Sequence, residues 1–192
     1  AGAADPDGNF PLVVVDDTVG RPVYDSRLGA LTWERDIDPV YRYSNGAFDR
    51  ATADRPVDAE EGLVLDRVLG GRGDGRIWPF QVFTALQPYD PATGLIAPID
   101  LYPSDDGDFA AFWRSWDLTA AVAAGVAATG GEFGGELAFI ESSSYRPITH
   151  GVVPADQALR CTDCHAAEGR LDFAALGYTA EEAAMLSVEP SV

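Results

Sequence analysis

Two thiols and an imidazole stand together at Cys161, Cys164 and His165 in the string CTDCH, and the chain contains no other cysteine. The spacing sets the thiols about one helical turn apart, so that both can add across the two vinyl groups of a haem while the adjacent histidine is carried under the porphyrin to bind iron. Two other chemistries use the same residue types. A redox dithiol would follow a strand and open a helix, where the helix dipole lowers the thiol pKa, whereas the residues before Cys161 read as helix. A zinc knuckle would need Cys161, Cys164, His150 and His165 to converge tetrahedrally, which the adjacency of Cys164 and His165 makes awkward. The favoured expectation is one covalent haem c, attached at Cys161 and Cys164, with His165 as its proximal iron ligand.

The sixth position of that iron has two candidates. His150 is the only other histidine, and the link 151–153 is long enough to double back and bring it over the opposite haem face. Met185, the only methionine, is the alternative, although its setting in an Ala-rich terminal segment reads as core filler. Ligation by His165 and His150 together would close the iron to substrate.

The elements that must position these residues belong to a chain of 192 residues, 46% hydrophobic, which is long enough to bury a core without help from metal or disulfide. A net charge of −18 excludes nucleic-acid binding, which needs a basic face to displace counterions, and equally disfavours an anionic membrane. All 13 basic residues are Arg, so Schiff-base and ammonium-base chemistry has no residue to carry it. The carboxylates, 21 Asp and 10 Glu, are scattered along the chain, as expected of a high-salt or alkaline habitat, with a basic partner as the other reading. The longest apolar stretch, 118–129, is too short to span a bilayer. The opening AGAADPDG lacks Met and lacks the regions of an export signal, which reads as a trimmed, exported chain, periplasmic or extracellular.

Residues 1–10 are small and acidic and are expected to be mobile. Residues 11–16 (PLVVVD) read as a strand, and 40–49 as a β-hairpin turning at Asn45-Gly46. Residues 51–75 read as a surface loop around one helical turn at 59–69; its GGRGDG string is no phosphate cradle. Strands at 77–84 and 95–99 bracket a Pro/Gly turn, with Pro79 relegating the first to a sheet edge. Phe109, Phe112, Trp113 and Trp116 form an aromatic stripe at helical spacing behind an Asp108 cap, and Asp117 caps an Ala-rich helix that Gly130 stops near 129. A strand at 137–140 follows. Pro154 opens a helix running to His165, with the cysteine motif at its C-terminal end. Thr179 to Glu182 is a capping box for a helix ending near Leu186. The fold class is α+β: a small mixed domain with few short strands in the N-terminal half and haem-binding helices in the C-terminal half, residues 11–192 forming a single monohaem cytochrome c domain.

The strings GALTW, PVYRYSNGAFDR, IWPFQVFTALQPYD, SYRPITHGVVPADQAL and CTDCHAAEGRLDFAALGY, with the FW–SWD helix pair, resemble in order the C-terminal part of the octahaem c-type cytochromes of the tetrathionate reductase family. The likeness spans most of 29–178 and is densest over 145–178. It implies that His150 is an axial haem ligand and that Cys161, Cys164 and His165 carry a haem. Family members hold eight haems, whereas this chain has one motif; Phe83 stands where the family pattern leads one to expect histidine; and the lysine that binds the family's active-site haem has no counterpart. Catalysis is therefore not implied. The expected function is a monohaem c-type cytochrome carrying single electrons outside the cytoplasm. The alternatives are a haem subunit of a multihaem assembly, with His150 ligating a haem in a neighbouring chain, and an enzyme-like haem protein with an open sixth site. Partners are expected among redox proteins, either basic or multihaem cytochromes, and self-association into an oligomer is open.

Overall fold

The β-branched run at 13–15 becomes a strand paired with the next one in the chain, whereas the strand that carries Tyr41 and Tyr43 takes its partner from residues 76–80, far along the chain. The computed structural model describes residues 2–58, 62–150 and 153–187. In chain order the elements are β1 (Val13–Asp16), β2 (Arg21–Asp25), β3 (Gly29–Ala30), β4 (Val40–Ser44), β5 (Phe48–Arg50), β6 (Leu63–Val68), β7 (Arg76–Asp90), β8 (Leu95–Ile96), α1 (Phe112–Ser115), α2 (Leu118–Ala128), β9 (Ala138–Pro147), α3 (Cys161–His165) and α4 (Ala180–Leu186). The fold is α+β. None of the described helices is long and apolar enough to cross a membrane. The described residues fall into two compact units.

The first unit takes the described residues of Ala1–Arg35, Thr52–Leu63 and Leu86–Glu141. Its antiparallel sheet has the order β1-β2-β3, and β8 folds back on the end of β7, with Tyr89 opposite Ile96. Its helical part is built around α2. The Asp117 carboxylate accepts the Ala120 N–H at 3.0 Å, as the cap predicts, and Gly130 at φ +80° ends the helix. Ala97, Val122 and Val126 form a buried cluster against Ile99, Leu118, Phe133 and Leu137. Gly125 lets α2 lie this close: a Cβ there would fall 2.8 Å from the Asp100 nitrogen and still nearer the Pro98 carbonyl.

The aromatic stripe does not form on one helix. The backbone N–H groups of Phe112 and Trp113 donate to the carbonyls of Asp100 and Leu101, so α1 starts only at Phe112, and Asp108 instead organises the preceding turn by accepting from Ser104. Phe112 is buried, Phe109 is 69% exposed, and Trp116 sits past the helix end at φ +57°.

Asp90, also in this unit, is a buried carboxylate that accepts the N–H groups of Gly134 at 2.7 Å and Ala92 at 2.8 Å, and these bonds, Gly134 first, hold its pKa below the ordinary value of 3.8. Asp90→Ala leaves both donors without an acceptor, and the thermal midpoint is expected to fall by several degrees. Because the folded-state pKa is depressed, the contribution is complete above about 3.8 and is lost as pH falls through the lower folded value. Melting curves of the two proteins should therefore converge in acid.

The second unit takes the described residues of Asp36–Ala51, Val64–Ala85 and Ser142–Val192, and its sheet follows the order β4-β7-β9-β6-β5. The expected hairpin is absent although its turn is present, with Gly46 at φ +89°. Asn45 donates to the Leu69 carbonyl and Leu69 donates to that of Ala47, so residues beyond β6 take the bonds a hairpin would use. β4 pairs with β7 and β5 with β6. The helical turn expected at 59–69 is likewise replaced over its described part by β6, because Leu63, Val64 and Leu65 lie in the sheet. Residues 59–61 are outside the described residues.

β7 runs between β4 and β9, not along an edge. Pro79 is tolerated there because it lies opposite Tyr41 and, lacking a donor, still accepts the Ile148 N–H at 3.0 Å. Phe80, 1% exposed, meets Phe48 and Tyr145 edge-on. Across the strands, Asp66 accepts from Ser144 at 2.8 Å and pairs with Arg50 and Arg146.

Candidate functional site

Cys161 and Cys164 are free thiols on one turn of α3, the first exposed and the second half-buried. The motif opens this helix and does not close a longer one. After a 3-10 turn at Ala155–Gln157, Ala158 (ψ 141°) and Arg160 (ψ 165°) are extended, and the Asp163 carboxylate accepts the Arg160 N–H at 2.7 Å, fixing a new helix start. Position on the helix therefore no longer separates a haem motif from a dithiol. Behind the motif the chain turns tightly: Arg170 donates to the Asp163 carbonyl at 2.8 Å, and a Cβ at Gly169 would come within 2.6 Å of the Cys164 carbonyl.

His165 is half-buried, and its Nδ1 lies 2.9 Å from the carbonyl oxygen of Leu186 at the end of α4. A carbonyl only accepts, so Nδ1 carries the proton and Nε2 keeps the lone pair that a metal needs. The ring of Phe173 packs against this imidazole at 5.7 Å, Tyr178 meets Phe173 edge-on at 5.6 Å, and the hydroxyls of Tyr178 and Tyr43 are 2.5 Å apart. That phenol contact is the main reason the Tyr43 pKa is raised. Arg72 stacks 4.0 Å above Tyr178 and grips both oxygens of Glu182, at 3.0 and 3.1 Å. Hydrogen bonding to Arg72 holds the Glu182 carboxyl below its usual range.

Glu182 also accepts the Thr179 N–H at 2.9 Å, completing the capping box read from the sequence. Met185, on the same helix, is 74% exposed and so is not core filler. His150 is an exposed imidazole three residues beyond β9, and Phe83 is an exposed ring on β7. Among the described residues, no three His, Cys, Asp or Glu side chains converge as metal ligands. His150 is therefore not gathered with Cys161, Cys164 and His165 into a zinc-like cluster.

The segment suits a large apolar prosthetic group. Of the described residues 153–187 only Phe173 and Leu176 are buried, while Val153, Leu159 and Met185 are 48, 52 and 74% exposed. So little burial is insufficient for a stretch that carries helices and a tight turn, and a macrocycle bonded at α3 would supply the missing apolar surface.

The family model for bacterial cytochrome c matches residues 1–168. The chain belongs to the bacterial cytochrome c family. The crystal structure of an octahaem cytochrome c from Shewanella oneidensis is similar at 28% identity with a TM-score of 0.76, over 90% of this chain and 40% of that one. The cytochrome thus spans less than half the length of that relative, and the resemblance to octahaem cytochromes read from sequence is borne out. No curated protein matches the chain. Membership of that family implies covalently bound haem c.

The sequence did not point to the Leu186 carbonyl, to Phe173 beside the imidazole, or to the Arg72–Glu182 pair. The first is a backbone atom, which no residue type announces, and the pair joins residues 110 positions apart.

Proposed function

We propose that this is a monohaem cytochrome, its single haem c bonded to Cys161 and Cys164, with His165 as proximal and His150 as distal ligand. It moves one electron at a time outside the cytoplasm. The observation that carries the reading is the Leu186 carbonyl on Nδ1 of His165, which fixes the tautomer and leaves Nε2 for iron, directly beside two free thiols. When bound, haem supplies a one-electron ferric/ferrous couple. The chain's residues hold the imidazole, shield its ring with Phe173, and provide the two thioether sulfurs.

The same hydrogen bond favours His150 over Met185. Met185 adjoins the residue whose carbonyl holds Nδ1 of His165, on the side of the imidazole away from the Nε2 that would bind iron, whereas His150 has no such link to that side. With the net charge of −18, a freely diffusing redox partner presents a positive face to this protein.

A second reading is favoured by the coverage of the octahaem structure. A chain similar to 40% of it could be a haem subunit beside a multihaem partner, with the exposed His150 ligating a haem across the interface. A redox titration of the isolated protein, with carbon monoxide added to the ferrous form, tests the main reading. One electron per chain and no rapid CO binding are expected. Rapid CO binding would reveal an open sixth site and overturn the bis-histidine assignment.

A further inference from the structure

Glu182 is engaged twice: it caps α4 through the Thr179 N–H, and it ties that helix to Arg72. Two routes lead from this pair to His165. Through α4, the helix that Arg72 anchors ends in the carbonyl that receives the Nδ1 proton. Through rings, Arg72 stacks on Tyr178, which packs on Phe173, which packs on the imidazole. α4 has only seven residues and buries none of them, so it has little packing of its own to hold its C-terminal end in place.

We propose that Arg72 and Glu182 are positioning residues for the proximal haem ligand: their ion pair pins α4 so that the Leu186 carbonyl accepts the His165 Nδ1 proton, and the pair thereby sets the reduction potential. An accepting carbonyl makes the imidazole a stronger donor, which favours ferric iron and lowers the potential. Releasing α4 weakens that hydrogen bond and raises it. The role rests on His165 being the iron ligand.

The test is the midpoint potential of haem-loaded Glu182→Gln and Arg72→Gln, with Glu181→Gln as a control for charge alone. Gln at 182 keeps the capping bond while removing the ion pair. Plain electrostatics would move the two potentials in opposite directions, up on losing the carboxylate and down on losing the guanidinium. Positioning moves both up, by as much as about tenfold in the ferric/ferrous ratio, which is about 59 mV for one electron. The double variant should shift no further than the larger single shift. As a second readout, the His165 Nδ1 proton should exchange faster with solvent in both variants, and this can be read from Glu182→Gln alone if Arg72→Gln does not fold. Shifts of opposite sign, or wild-type potential and exchange in loaded variants, would overturn the role. Wild-type protein without covalent haem would overturn the haem assignment and this role together.

Discussion

Serine at both Cys161 and Cys164 is expected to abolish covalent haem entirely, so that acid and organic solvent extract all colour from the variant while wild-type protein keeps it. Thioether bonds need sulfur, and the chain has no other cysteine to substitute. The effect should extend to the fold of the C-terminal segment. With only Phe173 and Leu176 buried among the described residues 153–187, loss of the macrocycle should leave Val153 and Leu159, already about half exposed, with nothing to cover them. Amide exchange should accelerate across α3 and α4, whereas the Ala97–Val122–Val126 cluster, packed by its own apolar neighbours, should stay protected. Covalent haem surviving in the double variant would contradict the assignment.

The second large effect is expected at His150. His150→Ala should convert the oxidised iron completely from low to high spin, because no other imidazole exists in the chain to replace it. The midpoint potential should rise as a strong donor is lost. Met185→Leu should leave spectrum and potential unchanged, since Met185 lies on the helix that holds the far side of His165 and its exposed side chain supports no core. Electron paramagnetic resonance of the two variants distinguishes these outcomes, and a high-spin signal in Met185→Leu would reverse the ligand choice.

The features legible in the sequence are those decided within a few residues. Asp117 and the Thr179–Glu182 box cap helices as their spacing predicts, because a cap is a contact across three positions. The cysteine motif falls on one helical turn for the same reason. Where a local signal competes with a distant partner, the distant partner decides. Asn45-Gly46 turns the chain but makes no hairpin, since Leu69 takes the turn's hydrogen bonds. Pro79 sits inside a sheet because Ile148 needs only its carbonyl. The helix expected at 154–165 breaks because Asp163 caps Arg160 more effectively than the preceding turn continues. The surroundings of His165 were hidden for another reason: they are made by a backbone oxygen, a ring stack and an ion pair, none of which leaves a pattern in residue spacing.

The measurement that bears most directly on the central claim is the intact mass of the wild-type chain after denaturation. The expected mass is that of the polypeptide plus one haem and nothing larger, with the modified peptide containing Cys161 and Cys164. A bare polypeptide mass, or a zinc adduct in place of haem, would contradict it.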